Sequence, residues 1–299
     1  MRLDDREESQ NVEDSRGMAG PATMAVGGGG LLILLVAMVL GVDPRQIQQI
    51  VGGGQQQQQQ QQAPDGGPRP GGPAPDRPVD PEEEKQAHFT KVIFHDTEVI
   101  WSDLFERAGK TYQKPILHLF SGVVESACGQ ADSAVGPFYC PGDARVYIDL
   151  GFYRDMQRKL NAPGDFARAY VVAHEVGHHV QKLLGYTRLV DAARKSGDEV
   201  EAHHMSVRLE LQADYFAGVW AFHGQKQYQF LDKGDLESAL NAAFQIGDDR
   251  LQKRSQGTVV PDTFTHGTSK QRMRWFKEGF QTGDVAAARR IFDLQYDQL

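Results

Sequence analysis

The chain has 299 residues, with 40 acidic side chains against 32 Lys and Arg, and a formal net charge of −8 at pH 7. This balance argues against a nucleic-acid partner, because proteins that bind nucleic acids present a basic face to the phosphates. Residues 1–86 are rich in Gly, Pro, Gln and acid, whereas apolar residues recur regularly from about His88 onward. The sequence therefore predicts a disordered tail over residues 1–21 and one folded domain, residues 87–299, of roughly 210 residues, which is large enough to bury a core.

The first element along the chain is an apolar run, LLILLVAMVL, at residues 31–40. It lies in a charge-free stretch from Gly17 to Val42, so about 20 apolar or small residues are available to span a bilayer. A cleaved signal peptide is one alternative, but the preceding flank is acidic and the sequence DPR that follows offers no cleavage site. A buried core helix is another, but the flanks offer nothing to pack against. We predict an uncleaved transmembrane anchor over residues 22–42, in contact with membrane lipid.

The Lys and Arg counts predict the orientation of this anchor, because acidic residues contribute little to topology. Three arginines, Arg2, Arg6 and Arg16, precede it, and Arg45 follows it closely. The tail is then expected inside the cytoplasm and the folded domain outside. Residues 43–86 include eight consecutive glutamines at 55–62 and a Pro/Gly/Asp stretch. They cannot bury enough apolar surface to fold, so they are predicted to be a disordered linker.

The two cysteines of the chain, Cys128 and Cys140, are close in sequence. They could be free thiols, half of a metal site, or a disulfide. The metal interpretation lacks further cysteines or nearby histidines. A disulfide would close a loop of about a dozen residues and contribute roughly 3 kcal/mol. Disulfides persist in oxidising compartments, which agrees with an exported domain.

The segment DFARAYVVAHEVGHHVQKLL, residues 165–184, predicts a helix with an apolar face and Asp165 as its N-cap. His174 and His178 are four residues apart, so both rings leave one face, with Cβ atoms about 5–6 Å apart. That spacing lets two ring nitrogens reach one zinc ion at about 2.0–2.1 Å. Glu175 points beside such a metal and is placed to take a proton from a metal-bound water.

A catalytic zinc site needs a third protein ligand and an open position for water. A metzincin would place a third histidine six residues past His178, but Leu184 stands there, and Gln181 replaces the required glycine. The metzincin pattern is therefore excluded.

A second helix, predicted over residues 199–222, offers a carboxylate instead. Glu210 and Asp214 share one face at i, i+4 spacing, and their apolar neighbours indicate a largely buried helix. Unpaired buried carboxylates are costly, so a metal partner explains them better than a solvated pair does. Glu210 is the predicted third ligand. Asp214 would accept a hydrogen bond from the free ring nitrogen of a ligating histidine.

The sequences HEVGHH and ELQADYFAG resemble the gluzincin arrangement. The fuller match is to the bacterial neutral zinc metallopeptidase family, a membrane-anchored group, and it runs nearly end to end. It includes MRLDDREESQNVEDSRG at the start, the segment with both cysteines, VYIDLGFY, and DTFTHGTSKQRMRWFKEGF near the end. The glutamine-rich linker departs from the family.

This resemblance implies a zincin-like domain that binds one zinc ion through His174, His178 and Glu210, with Glu175 as the catalytic residue. It also implies a peptide or protein substrate. The implied location is the bacterial cytoplasmic membrane, with the catalytic domain in the periplasm.

The segment ARVYIDL, residues 144–150, alternates and predicts a β-strand shortly before the zinc helix. In zincin-like folds the edge strand at this position pairs with an extended substrate, and an ordinary core strand is the open alternative. Further helices are predicted over residues 235–253, 269–281 and 284–294, the last with Asp284 as its cap. The expected fold is mainly α (α+β), with a small β element.

Peptide hydrolysis develops an oxyanion that needs a hydrogen-bond donor besides the metal. His266 is the first candidate, because it follows the third ligand in sequence, where related enzymes often keep such a donor. The rival donors are His203, His204, Tyr215 and Arg272. His179 leaves its helix about 100° from His178, too far round to share the metal, and is expected beside the site or exposed.

Two hypotheses about function follow. The first is a zinc-dependent peptidase of the HExxH type. The alternative is a binding or scaffold module of the cell envelope that keeps zinc for stability and cleaves nothing. An intact Glu175 favours the enzyme, because a structural zinc site needs no such residue and no open position. Hydrolysis of a non-peptide amide in the cell envelope is a third possibility, and the sequence does not indicate an oligomeric state.

Overall fold

The computed structural model describes residues 1–3, 6–17, 80–132 and 135–299. Within these residues the fold is mainly helical with a small β element, which confirms the predicted fold class. The strands are β1 (Val12–Asp14), β2 (Ile116–Phe120), β3 (Val123–Ser126), β4 (Gly129–Asp132), β5 (Phe138–Cys140) and β6 (Arg145–Asp149). The helices are α1 (Pro81–Arg107), α2 (Gly151–Arg158), α3 (Asp165–Leu184), α4 (Thr187–Ser196), α5 (Glu199–Tyr228), α6 (Asp235–Gln245), α7 (Asp248–Gln256), α8 (Ser269–Thr282) and α9 (Arg290–Asp293).

Strands β1, β2, β6 and β5, in that order, form one sheet. The first three run parallel, and β5 pairs antiparallel with β6. The strand predicted over residues 144–150 is therefore present as β6, but it has a neighbour on each side. Of its two alternatives, the interior strand is the one observed, and the free edge on this side of the sheet belongs to β5.

Strands β3 and β4 form a separate antiparallel hairpin. A disulfide between Cys128 and Cys140 ties the turn of this hairpin to the end of β5. Cys140 is fully buried beneath it. The predicted pairing of the two cysteines is therefore confirmed, and the bridge restrains the short edge strand.

The start of the chain is folded, which corrects the prediction of a disordered tail over residues 1–21. Strand β1 adds to the sheet beside β2, with Glu13 opposite His118 in register. Glu13 also forms an ion pair with Arg145 (2.8 Å) and a hydrogen bond with His118 Nδ1 (3.1 Å). The polar side chains that suggested disorder form ion pairs, and the main chain of β1 pairs with that of β2. A hydrophobic pattern detects neither kind of contact.

The predicted linker ends too late, because α1 begins at Pro81 rather than after residue 86. The Asp80 side chain accepts the N–H of Glu82 at 3.0 Å and so caps the helix. Proline at the first helical position lacks only an N–H that would have no partner in the helix. The acidic run that follows favours the positive end of the helix dipole. The sequence PEEE is thus a helix start, although its composition resembles a linker.

The predicted anchor, residues 22–42, and the linker up to residue 79 lie outside the described residues. Among the residues that are described, none of the helices combines the length and the apolar character needed to cross a bilayer. The anchor therefore stays a prediction.

Helix α3 has the predicted bounds, but its N-cap is Gly164, and Asp165 is its first residue. Gly185 follows its last turn with φ +85°, a left-handed conformation that glycine adopts without strain. Tyr170 and Val176 are among its side chains that are fully buried in the main hydrophobic core. The helix that carries the histidines therefore runs through the centre of the domain.

Two of the later predicted helices are interrupted. The segment predicted over residues 235–253 is divided into α6 and α7 at Gly247, where a Cβ would lie 2.3 Å from the main-chain nitrogen of Ser269. The chain needs glycine for this close approach, and the turn starts a new helix. Residues 286–289 form a 3₁₀ turn followed by α9. Its N-cap is Val285 rather than the predicted Asp284, although Asp284 Oδ1 accepts the N–H of Ala286 at 2.9 Å.

Helices α5 and α8 cross at a very short distance because each has glycine at the contact. A Cβ at Gly218 would lie 2.1 Å from the carbonyl oxygen of Phe276, and one at Gly279 would lie 2.0 Å from that of Tyr215. Any side chain at either position would push the helices apart. The crossing holds the second half of α8 against α5.

Candidate metal centre

Helices α3 and α5 bring three potential metal ligands together. His174 and His178 stand one turn apart on α3, and Glu210 faces them from α5. Glu210 Oε2 lies 3.2 Å from His174 Nε2, and Glu210 Oε1 lies 3.5 Å from His178 Nε2. The ligand atoms that these residues can offer all lie within 4.8 Å of one another. The three predicted ligands therefore form one group, called here the ligand cluster.

The close approach of α3 and α5 depends on Gly177, which lies between the two histidines. A Cβ at this position would be 3.0 Å from the carbonyl oxygen and 3.2 Å from the Cα of Ala213. Glycine inside a helix costs up to ~1 kcal/mol relative to alanine. Glycine at this position lets α5 lie close enough to α3 for Glu210 to reach both imidazoles, and this contact offsets the cost.

The Nδ1 atom of each imidazole is held by an acceptor. His174 Nδ1 lies 2.8 Å from Asp214 Oδ1. His178 Nδ1 lies 2.9 Å from Gln181 Oε1, and Gln181 Nε2 donates to the carbonyl oxygen of Leu209 at 2.5 Å. Because that carbonyl can only accept, the amide oxygen must face the histidine. In the neutral imidazoles both Nδ1 atoms therefore carry the hydrogen, and both Nε2 atoms present a lone pair to the ligand cluster.

A neutral imidazole nitrogen with a lone pair and a carboxylate oxygen cannot hydrogen-bond to each other, because neither has a proton to donate. A proton on the imidazole nitrogen, or a metal cation between the two atoms, removes this conflict. Around one tetrahedral zinc ion the ligand atoms lie about 3.3 Å apart, close to the measured separations of 3.2 Å and 3.5 Å. Two imidazoles and one carboxylate are also ligands that zinc accepts. The residues present therefore fit a zinc ion.

The charges around the ligand cluster agree with this fit. Burial alone would lower the pKa of His174, but the carboxylates of Asp214 and Glu210 raise it to about 9. Burial lowers the pKa of His178. Burial would raise the pKa of Glu210, but the imidazoles of His178, His266 and His174 hold it well below its usual range. Glu210 is thus ionised, and the site favours positive charge beside it.

Asp214 is fully buried on α5 and accepts from three side chains. Arg272 of α8 donates from Nε to Oδ2 at 2.8 Å and from Nη2 to Oδ1 at 2.9 Å. Tyr170 donates its hydroxyl at 2.5 Å, and His174 donates from Nδ1. Burial would raise the pKa of Asp214, but Arg272 and His174 lower it. Asp214 therefore holds His174 as predicted, and Arg272, a rival oxyanion donor in the sequence analysis, is the partner of this carboxylate.

Glu175 stands beside the ligand cluster without belonging to it. Its side chain is buried, and burial raises its pKa to about 7 against the lowering effect of His174 and Arg272. The main-chain N–H of Tyr139, on β5, contributes a hydrogen bond that also lowers this pKa. A carboxyl group whose pKa is near neutrality can both accept and return a proton at physiological pH.

His266 lies in the loop between α7 and α8, close enough to Glu210 for the charge of each to shift the pKa of the other. Its Nδ1 is 3.1 Å from Asp248 Oδ1. Burial alone would lower the pKa of His266, but Asp248 and Glu210 raise it. The imidazole is thus oriented by one carboxylate at Nδ1, and its Nε2 remains available as a donor.

Asp248 is a residue of the site that the sequence analysis missed. It is fully buried, and its Oδ2 accepts the main-chain N–H groups of Thr265, His266 and Gly267 at 2.7, 2.6 and 3.2 Å. The sequence predicted it in the middle of a helix, where an acid is usually solvated. The signal that could have identified it is Gly247, because a glycine followed by acids is typical of a new helix start.

The other rival donors have different partners. His203 lies on the surface and bonds to a main-chain carbonyl at 2.9 Å. His204 stacks on Tyr296, with ring centroids 3.5 Å apart. The hydroxyl of Tyr215 is 2.8 Å from that of Thr282. Of the five candidates, His266 is the one near the ligand cluster whose ring nitrogen, Nε2, has no hydrogen-bond partner among the described residues.

His179 is buried and faces away from the ligand cluster. Its Nε2 donates to the carbonyl oxygen of Gln113 at 2.5 Å, and its Nδ1 accepts from the hydroxyl of Tyr139 at 2.9 Å. Burial lowers its pKa to about 4, so it stays neutral. His179 therefore links β5 to α3 through hydrogen bonds, and this places the outer edge of the sheet beside Glu175.

A family model described as "Putative neutral zinc metallopeptidase" matches residues 1–290 of the chain. The chain belongs to this family. The match includes the first strand as well as the helices of the site, so the neutral zinc metallopeptidase family is defined over nearly the whole chain. The resemblance stated from the sequence is confirmed.

Relatives of the chain occur in distant bacteria. The uncharacterized protein YpfJ of Escherichia coli K12 is 49% identical over 293 residues, which cover 96% of this chain and 97% of that protein. The uncharacterized protein Rv2575 of Mycobacterium tuberculosis H37Rv is 44% identical over 183 residues, which cover 58% of this chain and 61% of that protein. No solved structure matches the chain at a significant level.

We expect Glu210→Ala and Asp214→Ala to differ in zinc content. Loss of Glu210 removes a ligand, so the purified protein should contain no zinc. Loss of Asp214 removes a hydrogen-bond partner of His174, which typically weakens metal affinity by about 10–100-fold. Metal analysis of the purified proteins, followed by titration with a chelator, measures both effects. A metal-free Asp214→Ala protein beside a fully loaded Glu210→Ala protein would reverse the assignment of the ligand.

Proposed function

We propose that this protein is a zinc-dependent peptidase that hydrolyses peptide bonds in an extended polypeptide. The observation that carries the proposal is the position of Glu175. It is a buried carboxyl group on the same helix turn as the ligands, and it is directed beside them. A zinc site that served stability alone would need no such group, and burying one without a use costs free energy. Glu175 therefore favours a hydrolase over the scaffold alternative.

His174, His178 and Glu210 would hold the zinc ion and leave one position open. When bound there, zinc supplies Lewis-acid polarisation and lowers the pKa of a water molecule. Arg272 and Tyr170 would support this arrangement by donating hydrogen bonds to the carboxylate of Asp214, which orients His174. The Arg272 guanidinium also offsets the charge of the buried Asp214 carboxylate.

Glu175 would act as the general base and then as the general acid. Its carboxylate accepts a proton from the attacking water and delivers it to the nitrogen of the leaving amine. A pKa of about 7 suits both directions of transfer. The buried position keeps bulk water from the carboxylate during the transfer.

The outer edge of β5, where the main-chain N–H of Tyr139 bonds to Glu175, would bind the substrate. An extended peptide can add to a sheet edge through main-chain hydrogen bonds, and β5 lies beside Glu175. Three contacts hold β5 in position and support this role: the ladder with β6, the hydrogen bond from Tyr139 to His179, and the disulfide at Cys140. His266 would donate a hydrogen bond to the carbonyl oxygen as it becomes negatively charged.

The disulfide supports a place outside the cytoplasm, because such bridges persist in oxidising compartments. We therefore propose a periplasmic or otherwise exported catalytic domain. Contact of residues 22–42 with the cytoplasmic membrane is part of the same proposal, and it rests on the apolar sequence of that segment.

Glu175→Gln tests the reaction. The amide keeps the size of the side chain but cannot accept the proton, so hydrolysis of casein or of a peptide library should fall by about 10²–10⁴-fold while zinc content is unchanged. The cleavage rate and zinc content of the purified full chain are to be measured together. Glu201→Gln, an exposed acid on α5, is the matched control and should behave as the native chain does.

Two results would contradict the proposal. One is unchanged cleavage by the Glu175→Gln protein. The other is a native chain that holds zinc but cleaves nothing in a proteome-derived peptide library, which would favour the scaffold module.

His266→Ala tests the proposed oxyanion donor. Removal of one such donor typically lowers kcat by about 10²–10³-fold. Zinc content should not change, because His266 is not a ligand. His203→Ala, which alters a surface histidine, is the control and should leave kcat unchanged. A kcat for His266→Ala equal to that of the control would remove His266 from the reaction.

A further inference from the structure

Gln181 connects the two helices that carry the ligand cluster. It is fully buried and lies three residues after His178 on α3. Its Oε1 is 2.9 Å from His178 Nδ1, and its Nε2 donates to the carbonyl oxygen of Leu209 at 2.5 Å. Leu209 immediately precedes Glu210 in α5. One side chain thus touches a ligand on one helix and the backbone beside a ligand on the other.

We propose that Gln181 is a positioning residue for zinc. It acts through His178 in two ways: it keeps the hydrogen on Nδ1, so that the Nε2 lone pair faces the cluster, and it fixes the rotation of the ring. Metal-ligating histidines usually donate their other N–H to such a partner. This inference rests on the proposed function only in taking zinc as the metal of the site.

There is a physical reason for a neutral amide, rather than a carboxylate, at Gln181. His174 has an ionised partner, Asp214, and the charge of that partner is offset by Arg272. Gln181 is the partner of His178, and its described contacts include no arginine. A carboxylate there would add a second buried charge and would face the carbonyl oxygen of Leu209, which cannot donate to it. Glutamine supplies one acceptor and one donor without adding charge.

The test compares Gln181→Met with Gln212→Met. Methionine has a similar length but makes no comparable hydrogen bonds. Gln212 is the matched control: it is fully buried on α5, and its Nε2 donates to the carbonyl oxygen of Ala288 at 3.2 Å, away from the ligand cluster. Zinc affinity of the purified full chain is measured by competition with a chelator, and the melting temperature is measured without metal.

We expect Gln181→Met to bind zinc about 10–100-fold more weakly than the native chain, and Gln212→Met to bind it as the native chain does. Both variants should lower the metal-free melting temperature by similar amounts. Equal zinc affinity in Gln181→Met and the native chain would overturn the inference, and so would an equal loss in both variants. A native chain that binds no zinc would instead overturn the proposed function, and this inference with it. If Gln181→Met does not fold, Gln181→Asn, which is too short to span both partners, replaces it.

A second inference follows from β1 and does not depend on the metal. The main chain of Asn11 accepts from Leu117 at 2.9 Å, and that of Ser15 donates to Leu119 at 2.9 Å, so the ladder extends beyond both ends of the strand. Arg6 pairs with the buried carboxylate of Asp96 on α1. These contacts tie the first residues of the chain to the sheet and to α1.

Arg16 places the two ends of the intervening segment side by side. Its guanidinium bonds to Asp14 at 2.6 Å and to Glu84 at 2.9 Å. The described residues on the two sides of this segment, up to Gly17 and from Asp80, therefore lie close together. A single crossing of a bilayer between these residues would separate β1 from β2 by about 30 Å of hydrocarbon, so the strands could not pair.

We infer that residues 6–17 and 80–299 occupy the same side of any membrane that the chain meets. The topology predicted from the arginine count, with the tail inside and the domain outside, cannot hold while β1 is paired. Taken with the disulfide, the inference puts the start of the chain outside the cytoplasm together with the catalytic domain. Membrane contact by the intervening segment would then have to begin and end on that side.

The test uses two single-cysteine variants of the full chain, Gln10→Cys and Lys277→Cys, both at exposed positions. The native cysteines are paired and do not react with maleimides. A membrane-impermeant maleimide is added to intact spheroplasts and, in parallel, to permeabilised cells. We expect both variants to be labelled to the same extent in intact spheroplasts. Labelling of one variant but not the other before permeabilisation would overturn the inference. If Gln10→Cys does not fold, Glu7→Cys, whose side chain is 85% exposed, replaces it.

Discussion

The carboxylate of Asp214 is the contact on which the rest of the site depends. It lies where α3, α5 and α8 meet, it is inaccessible to solvent, and each neighbouring helix sends a donor to it. A buried carboxylate without partners costs several kcal/mol, so the three helices are stable together only in an arrangement that brings these donors to it. That same arrangement aims the ring of His174 at Glu210. Stability of the helix packing and geometry of the metal site are therefore set by one interaction.

Three glycines make this interaction possible. Gly177 allows α5 to approach α3, and Gly218 and Gly279 allow α8 to approach α5. In each case the nearest atoms belong to the backbone of the other helix, so a methyl group could be accommodated only by moving a helix. Such a shift would lengthen the hydrogen bonds of Asp214 or the gap between Glu210 and the histidines. A substitution at Gly218 or Gly279, which are not next to a ligand in sequence, would thus alter the metal site by moving the backbone of a helix.

The sequence predicted local features of the site well and long-range ones poorly. His174, Glu175 and His178 follow from spacing within one helix, and Glu210 from spacing in a second. The role of Gln181 was missed because it depends on which carbonyl of α5 comes to lie beside α3. The strand β1 was missed for a related reason: its polar side chains have partners about a hundred positions away, such as His118 for Glu13. A pattern of apolar residues in the sequence does not predict such pairs.

Four buried or partly buried carboxyl groups surround the candidate centre, and their partners give each a different capacity. Burial would raise both pKa values, but Arg272 lowers the pKa of Asp214, and His266 together with main-chain N–H groups lowers that of Asp248. Both groups therefore stay ionised and serve to orient imidazoles. Glu210 faces imidazoles and also stays ionised, which suits a ligand. Glu175 differs, because burial dominates over its neighbours and raises its pKa to about 7. It alone among these four can exchange a proton near neutral pH, so the environments of the carboxyl groups, more than their spacing in the sequence, distinguish the base from the ligand.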